Sequence, residues 1–149
     1  MLIGIDPRLN ADLLRALRAM GHGDTIVLAD TNFPAESMAR HTVVGRPLAL
    51  ENVDLPGACD AVLSVMPLDG FVPDWGATMQ VVDDADAVPE VVGLVRARVR
   101  AAGETRDLPT VERFAFYDLA RSAFAIVRTG ETRLYGNLML RKGVLRPDG

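Results

Sequence analysis

Short, uniformly apolar segments alternate along the chain with amphipathic helical patterns. This interleaving predicts an α/β fold: a single three-layer domain in which a mixed β-sheet is flanked by helices. Two observations carry the prediction. The segments at 25–29 and 77–82 are too apolar to be strands with one wet face, so both faces of the sheet are expected to be covered. Leu13, Leu14, Leu17 and Met20 recur at helical spacing, as do Val88, Val91, Val92, Val95 and Val99, so each set gives a helix one face to bury. No repeat, low-complexity tract or linker divides the 149 residues, and 1–149 is read as one domain.

The first helix is expected to start after Asn10, an N-cap residue, and to stop at Gly21. The turn Gly21-His22-Gly23-Asp24 then leads into the strand at 25–29, with Asp30 at its carboxyl end. A second strand is expected at 42–44. Asp54 followed by Pro56 opens a helix that shares Ala58, Val62, Val65 and Met66 on one face. After a turn containing Pro67, Asp69 and Pro73 come the strand at 77–82 and the valine-striped helix, which Gly103 closes. A helix over 111–122 leads into a strand at 123–127, and a last strand covers 137–140. Pairing of these two strands as a hairpin around Gly130 would make the sheet mixed.

Composition narrows the function classes. Sixteen Lys and Arg stand against 20 Asp and Glu, a net charge of −4 with no basic run, which argues against a nucleic-acid partner. No apolar stretch approaches the roughly 20 residues that span a bilayer, and Asp6 interrupts the start too early for a signal peptide, so no membrane partner is expected and the location is read as cytoplasmic. Cys59, the one cysteine, fits a reducing compartment and excludes internal disulfides and cysteine zinc clusters. Apolar residues with glycine make up about 56%, above the usual 45–50%. Either the surplus faces neighbouring subunits of a homo-oligomer, or it reflects an Ala/Val-rich composition.

Few residues are placed for chemistry. His22 sits between two glycines after a helix, where the partial negative charge of the helix end favours a cation, so it is either a proton donor or an exposed helix stop. Asp30 occupies the strand end where α/β proteins commonly bind ligands, or else it opens an Asx turn. Arg113, Tyr117 and Arg121 recur every four residues, so a cation and a phenol can share one cleft; a surface Arg beside a core Tyr is the alternative. Tyr135-Gly136-Asn137 joins a phenol, a flexible backbone and a carboxamide, a mixture of donors and acceptors suited to polyhydroxylated ligands or to an ordinary turn. A catalytic zinc site lacks its second and third ligands near His22, and Gly21-x-Gly23 runs into a strand rather than opening a helix, so neither metal nor nucleotide cofactor is expected. Ser37, Ser64 and Ser122 lack a nucleophile elbow, and Cys59 falls within a helix as a small apolar residue.

The string Leu13-Leu14-Arg15-Ala16-Leu17-Arg18-Ala19-Met20-Gly21-His22-Gly23-Asp24, continued by Asp30-Thr31-Asn32-Phe33-Pro34, resembles the opening of the fucose mutarotase and ribose pyranase superfamily. Arg113-Phe114-Ala115-Phe116-Tyr117, Ala123-Phe124-Ala125-Ile126-Val127, Thr129-Gly130-Glu131 and Tyr135-Gly136-Asn137 resemble the fucose mutarotase branch in particular, with Pro67-Leu68-Asp69 a shorter match between them. The ribose pyranase branch typically has Gly-His-Thr-Asp and Tyr-Ala-Asn and lacks the Arg-Phe-Ala-Phe-Tyr string. The resemblance implies His22 as proton donor and Asp30 as a sugar-binding residue. It also implies Arg113, Tyr135, Gly136 and Asn137 on sugar hydroxyls, and acid or base roles for Asp69 and Tyr117. It implies a monosaccharide substrate, no cofactor and rings of subunits, typically decamers with sites at the interfaces. Between Val82 and Pro109 no family motif is found.

Mutarotation suits this inventory. Opening a hemiacetal needs one proton delivered to the ring oxygen and one removed from the anomeric hydroxyl, and an acid and a base worth about 10²–10⁴-fold each suffice without a metal. The expected activity is α/β interconversion of L-fucose or a related monosaccharide. A ribose pyranase and a non-catalytic sugar-binding transport-accessory protein are the alternatives. One spacing constrains any of these: across eight extended residues His22 and Asp30 stand roughly 26–29 Å apart. Either the segment curls or two chains share each site.

Overall fold

In the computed structural model, which describes residues 2–147, Asn10 caps the first helix, α1 (Ala11–Ala19). Its Oδ1 accepts the Leu13 N–H at 3.0 Å, a contact worth about 1 kcal/mol. β1 (Thr25–Ala29) follows where the apolar run predicts it. Helix α2 (Ala35–Ala39) and strand β2 (Leu48–Leu50) come next, then α3 (Leu55–Leu63), capped by Asp54 on the Gly57 N–H with Pro56 in its first turn. The chain continues through β3 (Gly76–Met79), α4 (Glu90–Ala101), β4 (Thr110–Val111), α5 (Arg113–Arg121), β5 (Ala125–Thr129) and β6 (Leu138–Arg141). No helix among the described residues is long and apolar enough to cross a membrane.

The described strands form one sheet in the order β2-β5-β1-β6-β3-β4. β1, β2 and β5 pair in parallel, as do β3 and β4, while β6 runs antiparallel to both β1 and β3. The sheet is mixed, as the sequence predicts, but not by a hairpin. β1 lies between β5 and β6, with Ile26 opposite Ala125 on one side and Leu140 on the other. Alternation of side chains then fills two cores. Ile26, Leu28, Val127, Leu138 and Leu140 pack toward α1, α3 and α4, and Val27, Ala29, Ile126 and Met139 pack toward α2 and α5. This is the three-layer arrangement, and it explains why β1 is apolar at successive positions.

Several element assignments are corrected. Residues 42–44 form a turn because Thr42 fastens it, its Oγ1 donating to the Ala39 carbonyl at 2.7 Å and accepting the Gly45 N–H at 3.1 Å. The strand forms instead at β2, beside β5. The expected helix over 111–122 begins two residues later because Thr110 and Val111 join the sheet edge; Glu112 then caps α5, accepting the N–H groups of Phe114 and Ala115. Helix α2 is too short to show a helical period in the sequence. Val65 and Met66 lie beyond the end of α3, Val88 is exposed ahead of α4, the strand expected at 77–82 ends at Met79, and that expected at 123–127 runs from Ala125 to Thr129.

Strand direction sorts the connections. The carboxyl ends of β1, β3, β4 and β5 open onto one edge of the sheet together with the amino end of β6. The opposite edge collects the turn before β1, the carboxyl end of β6 and the loop that starts at Pro67. That second edge is packed to backbone contact: a Cβ on Gly143 would stand 2.2 Å from the Leu68 carbonyl oxygen and 2.6 Å from its carbon. Gly143→Ala is therefore expected to force Leu68 away from Lys142 and to cost about 1–3 kcal/mol, read as a lower urea midpoint with an unchanged m-value.

Candidate functional site

At the carboxyl edge, Asp30 leaves the end of β1 and meets Asn137 at the start of β6. Asn137 Nδ2 donates to Asp30 Oδ2 at 3.0 Å, and the Asp30 N–H donates to Asn137 Oδ1 at 3.0 Å. The Asn32 N–H donates to Asp30 Oδ1 at 3.0 Å, the Asx turn anticipated from the sequence. Burial pushes the Asp30 carboxyl above the ordinary aspartate value, and the N–H donors of Asn32, Asn137, Phe33 and Gly136 work against that rise. A cavity of about 160 Å³ opens beside this pair, lined also by Phe33, Met79, Tyr117 and Tyr135.

Tyr135 holds a left-handed backbone, φ +63°, unusual for a residue with a Cβ, and its phenol oxygen accepts the Val82 N–H at 3.3 Å. Gly136 is required by space: a Cβ there would lie 2.5 Å from Glu131 Cγ. Tyr117 enters the cavity from α5, its ring edge-on to Phe33 at 5.7 Å. Arg113 does not line this cavity. Its guanidinium lies 4.7 Å from the Phe114 ring centre, and its buried Nε has no partner among the described residues, an arrangement costing about 1–3 kcal/mol until a ligand or neighbour supplies an acceptor. Arg121 turns away to Asp118 at 2.8 Å, so the expected Arg113–Tyr117–Arg121 face contributes Tyr117 alone to the cavity.

The opposite edge holds His22. Its Nε2 stands 3.1 Å from Oδ2 of Asp69, whose other oxygen accepts the Phe71 N–H at 2.9 Å. Asp69 is buried, His22 is half exposed, and the Phe71 ring meets the imidazole edge-on at 5.7 Å. A carboxylate in its ionised form only accepts, so in that form Nε2 is the donor of this bond, and Nδ1 has no partner among the described residues. The helix end is not the partner of His22: Lys142 Nζ donates to the Leu17 and Met20 carbonyls at 2.7 and 2.6 Å and takes up the negative end of α1.

These two clusters do not meet within one chain. The five residues of β1 alone separate them by about 16 Å. Asp30, Tyr117, Tyr135, Gly136 and Asn137 gather at one edge, and His22 and Asp69 at the other. After the turn at 21–24, the segment runs as the extended strand β1 and does not bring His22 back to Asp30.

Residues 3–145 match the sequence model of the RbsD / FucU transport protein family. The chain belongs to this family. A human relative named fucose mutarotase is 44% identical over 147 residues, covering 97% of this chain and 94% of its own. The crystal structure of a fucose mutarotase from Streptococcus pneumoniae in complex with L-fucose superposes with a TM-score of 0.87 at 37% identity, covering 97% of this chain and all of the other. That of the protein Atu2016 reaches a TM-score of 0.94 at 48% identity, covering 98% of this chain and 97% of the other.

This RbsD/FucU chain buries a further carboxylate, Glu131, which the Thr129-Gly130-Glu131 motif contains but whose role no local pattern shows. The Glu131 carboxylate accepts the N–H of Leu55 at the start of α3 at 3.1 Å, and the Arg133 N–H, Nε and Nη2 at 2.8–2.9 Å. Its carbonyl accepts the Thr31 N–H, and its Cγ is the wall against which Gly136 packs. Glu131 thus ties the loop carrying Tyr135 and Asn137 to the residue after Asp30. The Arg133 guanidinium holds its carboxyl down at about 2, against 4.5 for an ordinary glutamate. A depressed folded value contributes stability that is present above pH 4.5 and lost as pH falls toward 2. Glu131→Gln is expected to flatten that acid limb, removing on the order of 3 kcal/mol of the pH-dependent stability between pH 6 and 2, measured by chemical denaturation at each pH.

Proposed function

We propose that this chain is a cofactor-free mutarotase that interconverts the α and β anomers of L-fucose or a related monosaccharide, in sites completed by two copies of the chain. The observation that carries the reading is the His22–Asp69 pair: a half-exposed imidazole oriented through Nε2 by a buried carboxylate, with no partner at Nδ1 among the described residues. Full-length relatives named fucose mutarotase support the substrate class. His22 delivers a proton from Nδ1 to the ring oxygen. The Tyr117 phenol oxygen, in the other half-site, takes the proton of the anomeric hydroxyl while its own O–H proton passes to water, as the C1–O bond of the ring breaks. The aldehyde turns about C1–C2, the ring oxygen attacks its other face, and both protons return. Asp69 orients His22, while Asp30, Asn137 and Tyr135 hold the remaining hydroxyls. The buried free thiol of Cys59, pushed up to about 12 by burial, accords with a reducing, cytoplasmic setting.

A site built from opposite edges of two chains requires a head-to-tail contact, and such contacts close into rings when the rotation allows. Exposed Phe71 at one edge and exposed Phe114 and Leu134 at the other give that contact apolar surface to bury. The resemblance to the mutarotase and pyranase superfamily favours ten subunits.

Saturation-transfer NMR is expected to show faster anomer exchange of L-fucose with the protein present, and His22→Gln or Tyr117→Phe is expected to lower it by about 10²-fold or more with sugar still bound. Acceleration of ribose but not fucose would move the chain to the pyranase branch, and binding without acceleration of any aldose would make it a transport-accessory binder. Co-assembly of His22→Gln with Asp30→Asn chains tests the shared site. Random assortment restores about a quarter of the interfaces to an intact pair of halves, so activity should return toward that level. Two inactive variants that stay inactive when reassembled together would exclude a site shared in this way.

A further inference from the structure

Residues 83–109 carry no family motif, yet they supply the side chain that braces the loop facing His22. Arg106, between α4 and β4, reaches under the loop that starts at Asp69. Its Nη2 donates to the Asp69 carbonyl at 2.7 Å and its Nη1 to the Val72 carbonyl at 2.8 Å. Glu104 holds the same guanidinium by Nε at 2.9 Å and Nη2 at 2.6 Å, and the buried Trp75 ring lies 5.3 Å below it. Within the loop, Phe71 N–H is bonded to Asp69 Oδ1, so the backbone from 69 to 72 turns tightly around the carboxylate that His22 faces.

We propose that Arg106 is a positioning residue for His22: its guanidinium spans the 69–72 loop and holds the Asp69 carboxylate against Nε2 of the imidazole. The proposal rests on the acid role given to His22 above. A planar guanidinium is suited to this task because it presents several N–H donors in a fixed fork, and here two of them take carbonyls three residues apart while the opposite face and edge are pinned by Trp75 and Glu104. A lysine ammonium is a single point and cannot span both carbonyls in the same way. Without the fork, the loop is free to rotate about Asp69, and the carboxylate leaves the line to Nε2. Loss of that line costs rate rather than sugar affinity, since the groups that hold hydroxyls stand at the other edge of the sheet.

The test pairs kinetics with the ring itself. In Arg106→Met, which keeps an apolar cover over Trp75, kcat for L-fucose exchange is expected to fall about tenfold or more while KM moves less than about threefold. The chain has two histidines, so imidazole ¹⁵N spectra resolve the His22 ring, and its hydrogen-bonded Nε2–H signature is expected to disappear in that variant. Arg106→Lys should lie between wild type and Arg106→Met on both measures. A folded Arg106→Met with unchanged kcat and an unchanged His22 signal overturns the proposal. Should Arg106→Met not fold, the same two readouts on Arg106→Lys decide it, with no change in either again overturning it. If the wild-type chain accelerates no sugar, the mutarotase reading fails separately, and the ring signal of the Arg106 variants still supports or overturns the positioning role.

Discussion

β6 enters the sheet between β1 and β3 and runs against both, and this reversal positions each of the two polar clusters. Its amino end delivers Asn137 to Asp30, where four atoms of the two residues close a pair of hydrogen bonds. Its carboxyl end delivers Lys142 to the turn holding His22, with Gly23 N–H on the Lys142 carbonyl and Lys142 N–H on that of Asp24. A parallel strand in the same slot would exchange these ends and leave Asp30 facing the basic Arg141–Lys142 segment. The two sheet edges therefore differ in chemistry because one strand is reversed.

Three buried carboxylates show how the fold meets the cost of taking charge out of water. Glu131 is paired with a guanidinium and stays ionised far into acid, which suits a group that fastens a loop. Asp30 receives N–H donors without a cation, so burial raises its pKa and its polar atoms remain close to the cavity. Asp69 faces an imidazole on one oxygen and a backbone N–H on the other, with the guanidinium of Arg106 held on its carbonyl rather than on its carboxylate. That displacement matters. A direct ion pair would occupy the oxygen that His22 uses.

The unmet groups of the chain lie at the same edges as its chemistry. Phe71 is exposed beside His22, Phe114 and Leu134 are exposed beside the Asp30 cavity, and Arg113 buries an Nε without an acceptor among the described residues. Each cluster of polar side chains thus has an exposed apolar rim. In the shared site proposed above, association of opposite edges removes this apolar surface from water and brings donor and acceptor groups of two chains to one ligand.

Local rules made part of this legible. Asn10 and Asp54 read as caps, Thr25–Ala29 as a strand buried on both faces, and His22, Asp30, Tyr117 and Asn137 as groups worth placing, because side-chain chemistry and periodicity are properties of neighbouring residues, whereas Asp69 stands out only through the family resemblance. Periodicity reports that a segment is buried, not which segment covers it. Hence the pattern suggests a hairpin of β5 and β6, adjacent in sequence, although β1 separates them, and it places Val111 in a helix although β3 recruits Thr110 and Val111 as an edge strand. The partnership of His22 with Asp69 across 47 residues, the brace from Arg106 and the role of Glu131 also depend on where distant strands end. The sequence by itself determined the inventory of reactive groups, the main helices and the doubly buried strand. Tertiary structure alone decided strand order and direction, and through them the sheet edge on which each group stands, because backbone pairing is set by long-range packing that no local window contains.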